Sequence, residues 1–178
     1  MKKKIALVSG ADGFIGSHLV EKLVSRGYKV KALNIYNSLN SYGWLENLPN
    51  KIKKQIDIIS LDLRDPFYLQ HHIGKVDFIY NLAALISIPF SVKSPYLVSQ
   101  NNIAITQNLL EFAKQKKIKK FIQMSTSEVY GSGKIFPMSE KHPINPQSPY
   151  AASKVATDSL SMSYFYTFNV PVTIVRPF

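Results

Sequence analysis

Two short stretches of this 178-residue sequence carry hydroxyl, phenol, carboxyl and amine groups at spacings that could do chemistry together. One is "MSTSEVYGSG", Met124 to Gly133; the other is "SPYAASK", Ser148 to Lys154. Tyr150 and Lys154 stand four apart, so on a helix they share a face. An ammonium beside a phenol favours phenolate and lowers the tyrosine pKa toward that of a useful general base. Thr126 could hydrogen-bond the same substrate hydroxyl, and Glu128 adds a carboxylate close by. Taken alone, a Tyr-x-x-x-Lys pair also arises as the plain surface of an amphipathic helix. Glu128 likewise reads as an ordinary exposed loop carboxylate. The chain before these residues decides between the readings.

That chain alternates short apolar runs with helical patterns. "KIALVSG" predicts a first strand ending in glycine, and "IGSHLVEKLVSRG" a helix that stops at Gly27. "KVKALNI", "IDIISLDL" and "VDFIYNLAA" predict strands two to four, with a weaker helix from Pro66 to Ile73 before the fourth. "SQNNIAITQNLLEFAKQKK" predicts a long helix, "KKFIQMSTS" a fifth strand and "PVTIVRPF" a sixth. The helix opening at "SPYAASK" has Ser148 as its N-cap and Pro149 in its first turn. Asn37 to Gln55 reads as a loop with a short helix. Strands alternating with helices imply an α/β fold, a Rossmann-type doubly wound parallel sheet in one domain over residues 1–178. Thr126 then stands at the end of strand five, and the tyrosine and lysine on the helix that follows.

The first strand runs into "GADGFIG", with Gly10, Gly13 and Gly16 around Phe14 and Ile15. A tight turn and a close approach of backbone to pyrophosphate both need residues without Cβ. The phosphates would meet the exposed amides at the start of the next helix. Placed between strand and helix, the pattern reads as a dinucleotide site rather than a plain turn. The acid expected after strand two is replaced by Asn34, which leaves NAD and NADP both open. Asp62, beside Leu63 after strand three, could accept from an adenine amino group, or serve only as a loop or helix cap. Leu82, Ala83 and Ala84 in "NLAA" would let a cofactor lie close, or simply pack under a helix.

Bulk composition bounds the rest. The chain is 46% hydrophobic and 19% charged, a globular balance. It has no run of about eighteen apolar residues, so no membrane partner is expected. "MKKKIALVSG" has too short an apolar part for a signal peptide. With no cysteine there is neither a disulfide framework nor a thiolate metal site, and no metal site is expected; a cytoplasmic location fits. The net charge of +11 comes from dispersed lysines, read as solvated faces and not as a nucleic-acid surface.

Together "GADGFIG", "NLAA", "STSEVYG", "SPYAASK" and the terminal "RPF" resemble the extended short-chain dehydrogenase/reductases, specifically the nucleotide-sugar epimerases and dehydratases. "YNSLNSYGWLE" and "ALISIPFS" more narrowly resemble the N-acetylhexosamine-nucleotide 4,6-dehydratases of legionaminic-acid-type pathways. The resemblance implies a nucleotide-sugar substrate and bound NAD or NADP. It implies that Tyr150 takes the proton of the sugar 4-hydroxyl as hydride leaves C4. Lys154 would hold the nicotinamide ribose, and Thr126 would orient the hydroxyl. Glu128 would remove the acidified C5 proton, after which the 6-hydroxyl leaves as water and hydride returns to C6. A C4 epimerase or a decarboxylase on the same scaffold is the alternative, as is a non-catalytic dinucleotide-binding domain.

Three positions depart from the family pattern. Ser127 stands where many dehydratases have an aspartate, and Ile105 replaces a helix glycine. The chain also stops at Phe178, where relatives continue into a substrate-binding region, so that region is expected to be largely absent. The resemblance also implies a homodimer through the helices containing Asn102 and Tyr150.

Overall fold

The computed structural model describes residues 3–178. Six strands form one parallel sheet: β1 (Ile5–Ser9), β2 (Lys29–Asn34), β3 (Ile56–Ser60), β4 (Phe78–Asn81), β5 (Lys120–Met124) and β6 (Val172–Val175). Their order is β3-β2-β1-β4-β5-β6. The chain winds outward from β1 to β3, then crosses back to start again at β4. The carboxyl ends of β1 and β4 therefore part their loops to opposite sides, which opens a crevice there.

The helices are α1 (Phe14–Ser25), α2 (Asn50–Lys53), α3 (Pro66–His72), α4 (Ile88–Lys93), α5 (Pro95–Lys116) and α6 (Pro149–Phe168). Alternation along β1 splits its side chains between two layers. Ala6 and Val8 pack with Val20, Leu23 and Val24 of α1. Leu7 faces the opposite layer, with Leu109, Leu110 and Phe112 of α5, Leu69 of α3 and Tyr164 of α6. In α5 the buried residues Val98, Asn102, Ile105, Thr106, Leu109 and Ala113 recur at three- and four-residue steps, the stripe that docks a helix on a sheet. Ile105, the departure from a glycine, fills part of that layer. Among the described residues, no helix is long and apolar enough to cross a membrane.

Three local features differ from the sequence expectation. The long helix begins at Pro95 rather than near Ser99, because Pro95 suits a first helical turn. A separate short helix, α4, precedes it, started by Ser87, whose hydroxyl accepts from the Phe90 amide. The loop after β2 holds two short helical pieces, a 3-10 turn at Gly43–Asn47 and α2.

Candidate active site

A buried polar lattice supports the crevice. Ser9 at the end of β1 donates to Asn81 Oδ1 at the end of β4, 2.8 Å away. Asn81 in turn donates to Gln123 Oε1 on β5 and to Thr106 Oγ1 on α5, at 2.8 and 3.1 Å. The Ser9 hydroxyl also accepts the amides of Leu82 and Ala83. These bonds fix the "NLAA" segment against the glycine turn. Gly10 has φ +63°, and a Cβ on it would sit 2.9 Å from the Ala83 nitrogen. A Cβ on Gly16 would fall 2.1 Å from the Gly10 carbonyl, so only glycine lets α1 approach its own turn this closely.

Above this floor lies a cleft in two compartments. The larger, of about 500 Å³, is lined by Gly10 to Gly16 except Ala11, by Leu82 to Ala84, and by Thr126, Tyr150 and Lys154. The smaller, of about 190 Å³, is lined by Asn34, Asp62, Leu63 and Ile105 among others. Gly10, Asp12, Ala83 and Ala84 border both, so the compartments meet over the glycine turn. Every cofactor-binding residue expected from the sequence borders one compartment or both. The first turn of α1 has no side-chain cap and no acidic residue. Its free amides and positive helix end suit a pyrophosphate, and the glycine cradle leaves room for one.

The reactive end is built from two elements. Thr126 follows β5 and caps a 3-10 turn, Ser127–Tyr130, its hydroxyl accepting the Glu128 amide at 3.2 Å. That geometry leaves the Thr126 hydroxyl proton free to point elsewhere. Tyr150 lies in the first turn of α6, which Ser148 caps by accepting the Ala151 amide at 3.0 Å. Tyr150 and Lys154 are both buried, at 8% and 4% exposure, yet both border the cleft. Glu128 is exposed, beside the cleft rather than among the residues that line it.

The electrostatics correct one expectation. The Lys154 ammonium does not lower the Tyr150 pKa; it donates instead to the Met124 carbonyl at 2.5 Å. Burial raises the Tyr150 phenol above its ordinary value, the Thr126 hydroxyl opposes that rise, and the Glu128 charge adds to it. Thr126 and Glu128 are thus both close enough to bear on the Tyr150 phenol. Asp62 also differs from a free adenine acceptor: Arg64 holds its carboxylate through three contacts of 2.5 to 3.0 Å and keeps its pKa low. Asn34 is buried and bonded within the chain, accepting from Ser60 and donating to the Ile35 carbonyl.

Several site residues were not anticipated. Asp158, one turn beyond Lys154 on α6, accepts from Ser125 and from two nitrogens of Arg176, at 2.9 to 3.0 Å. Arg176 also donates to the Tyr130 hydroxyl at 2.7 Å. This group ties the end of β5 to the end of β6 beneath Thr126. The four-residue step from Lys154 to Asp158 was a readable signal, since it puts both on one helical face.

Burial pushes Lys154 down to about 8 from an ordinary 10.5. Unfolded chain therefore binds its proton more tightly, and below about pH 8 the fold carries the full cost of the buried ammonium. Stability contributed at this position rises with pH between those two values. Lys154→Met should stabilise the fold at neutral pH by about 1–3 kcal/mol, and the advantage should vanish as pH approaches 10.5. Urea unfolding of both proteins across that pH range checks this.

The chain matches the family described as GDP-mannose 4,6 dehydratase over residues 7–178. It is 34% identical over 187 aligned residues to a dTDP-D-glucose 4,6-dehydratase of Dictyostelium discoideum, covering 96% of this chain and 42% of that protein. The dTDP-glucose 4,6-dehydratase DesIV of Streptomyces venezuelae, solved with NAD and TYD bound, superposes with a TM-score of 0.86 at 33% identity. That superposition covers 97% of this chain and 55% of DesIV. A UDP-N-acetylglucosamine 4-epimerase of Methanobrevibacter ruminantium superposes with a TM-score of 0.88 at 36% identity, over 99% of this chain and 55% of that one. The chain spans about half the length of the curated relatives it matches, between 42% and 57%. With a match that runs from β1 through the glycine turn and the Tyr150 helix to Phe178, the chain belongs to the GDP-mannose 4,6 dehydratase family.

Proposed function

We propose that residues 1–178 form the dinucleotide-binding and catalytic domain of a nucleotide-sugar 4,6-dehydratase. The observation that carries this reading is the meeting of Thr126, Tyr150 and Lys154 at one end of a cleft whose other end is the glycine turn. Gly10, Gly13 and Gly16 with the first-turn amides of Phe14 and Ile15 hold the pyrophosphate. Asn34, Asp62 and Leu63, which line the smaller compartment, would face the adenosine, and Leu82, Ala83 and Ala84 would lie under the cofactor. NAD bound there would supply the acceptor for the C4 hydride and the source of the hydride that returns to C6. Tyr150 takes the 4-hydroxyl proton, Thr126 orients that hydroxyl, and Lys154 holds the ribose beside it. Glu128 removes the C5 proton, which the neighbouring ketone has made acidic, and the 6-hydroxyl departs as water with that proton.

NAD is the favoured cofactor, since related dehydratase and epimerase structures contain it. Apolar side chains exposed on α5 and α6, Tyr96, Leu97 and Tyr166 among them, support a homodimer. A nucleotide-sugar substrate and a cytoplasmic site of action belong to the same reading. The second reading, a C4 epimerase, has support in the epimerases among the similar structures and in Ser127, which supplies no acid for departing water.

Incubating the protein with NAD and a panel of nucleotide-hexoses and nucleotide-hexosamines, with mass analysis of products, tests the proposal. A 4-keto-6-deoxy product, lighter by one water, is expected. A C4 epimer of unchanged mass selects the epimerase. Dinucleotide binding with no product from any sugar selects a binding domain without turnover.

A further inference from the structure

We infer that the Asp12 carboxylate makes this cleft selective for NAD over NADP. It would stand at the adenosine ribose in place of the acid that commonly ends the second strand. The inference rests on the dinucleotide reading of the cleft. A free ribose 2′-hydroxyl can donate to a carboxylate, whereas a 2′-phosphate is repelled by one.

At the end of β2 the chain offers no such acceptor. Asn34 is 4% exposed, and its amide already bonds Ser60 and the Ile35 carbonyl. The Asp62 carboxylate is engaged by Arg64. Asp12 is different. It stands in the turn between Gly10 and Gly13 and borders both compartments of the cleft. It lines the smaller compartment together with Asn34 and Ile35, at and just past the end of β2. A carboxylate thus reaches the β2 end from the neighbouring strand's loop.

The position is held firmly. The Ala11 amide donates to the Leu33 carbonyl at 3.0 Å, binding the turn to β2. The Trp44 amide donates to the Asp12 carbonyl at 2.9 Å, and a Cβ on Gly43 would fall 2.6 Å from that same oxygen. Trp44 also meets the Phe14 ring edge-on at 5.2 Å, so the 3-10 turn clasps the glycine loop. Among the described residues, no side chain donates a hydrogen bond to the Asp12 carboxylate. Half-burial accordingly raises its pKa, an imbalance that a ribose hydroxyl donor would relieve. The smaller compartment is lined by two carboxylates, Asp12 and Asp62, and by no lysine or arginine. Arg64, which stands beside the compartment, is already paired with Asp62.

Calorimetric dissociation constants for NAD and NADP, measured on the wild-type protein, Asp12→Asn and Asp12→Ser, test the inference. The wild type should bind NAD about tenfold or more tighter than NADP, the scale of one like-charge contact near a protein surface. Both variants should narrow that ratio, chiefly by tightening NADP. Equal binding of the two dinucleotides by the wild type overturns the inference, as does an unchanged ratio in both variants. If a variant fails to fold by circular dichroism, the wild-type ratio decides alone. Failure of the wild type to bind either dinucleotide is a separate result, which removes the dinucleotide reading itself.

Discussion

Tyr150→Phe should lower sugar turnover by roughly 10²–10⁴-fold, the usual contribution of a positioned proton acceptor, while leaving NAD affinity nearly unchanged. The phenol is the buried titratable oxygen that faces the cleft beside Thr126. Phenylalanine keeps the ring, and so keeps the packing of the first turn of α6, but can take no proton. Because burial raises the Tyr150 pKa, the reactive phenolate is scarce at neutral pH and becomes more abundant as pH rises. The wild-type rate should therefore climb with pH on an alkaline limb, and the residual activity of the variant should lack it. Steady-state rates across pH, with NAD binding measured alongside, check both parts. A variant that retains wild-type turnover would remove Tyr150 from the chemistry.

The architecture was legible because its signals are local and periodic. Each strand is a short apolar run, α1 and α5 show apolar stripes, and Ser148 caps α6 as its type predicts. The glycine turn was legible for a steric reason, since Gly10 and Gly16 occupy places where a Cβ would strike backbone. The start of α5 was misplaced because Pro95 reads equally well as a breaker before a helix or as its first residue. What the sequence hid were pairings between distant residues. Nothing local indicates that Lys154 would turn to the Met124 carbonyl instead of the phenol. The Ser9–Asn81–Gln123 lattice joins three strands that are adjacent only in the folded sheet. Asp12 carries no signal of its own inside the glycine motif, whose pattern is set by Gly10, Gly13 and Gly16. Its meaning depends on Asn34 and Ile35, with which it lines one compartment only when β1 and β2 pair.

Glu128→Gln should abolish loss of water while sparing oxidation at C4. The two steps need different bases, and the structure separates them. Tyr150 emerges from α6 inside the cleft, whereas Glu128 stands beside it on the 3-10 turn after β5. The Glu128 backbone amide donates to the Thr126 hydroxyl, so glutamine at this position preserves the contact that seats Thr126. Only the carboxylate is lost. Removing a proton base in this way should slow C5 deprotonation by roughly 10²–10⁴-fold. With a sugar nucleotide that the wild type dehydrates, the variant should build up reduced nicotinamide, visible by its ultraviolet absorbance, with little 6-deoxy product. Exchange of the C5 hydrogen with deuterated water separates the outcomes further: the wild type should exchange it and the variant should not. The substitution should also ease the Tyr150 phenol downward, because the Glu128 charge helps to hold it up. Its alkaline limb should then move toward lower pH, a shift that a merely structural defect would not produce. Dehydration and exchange at wild-type rates in the variant would assign the C5 proton to another group and leave Glu128 an exposed carboxylate beside the cleft.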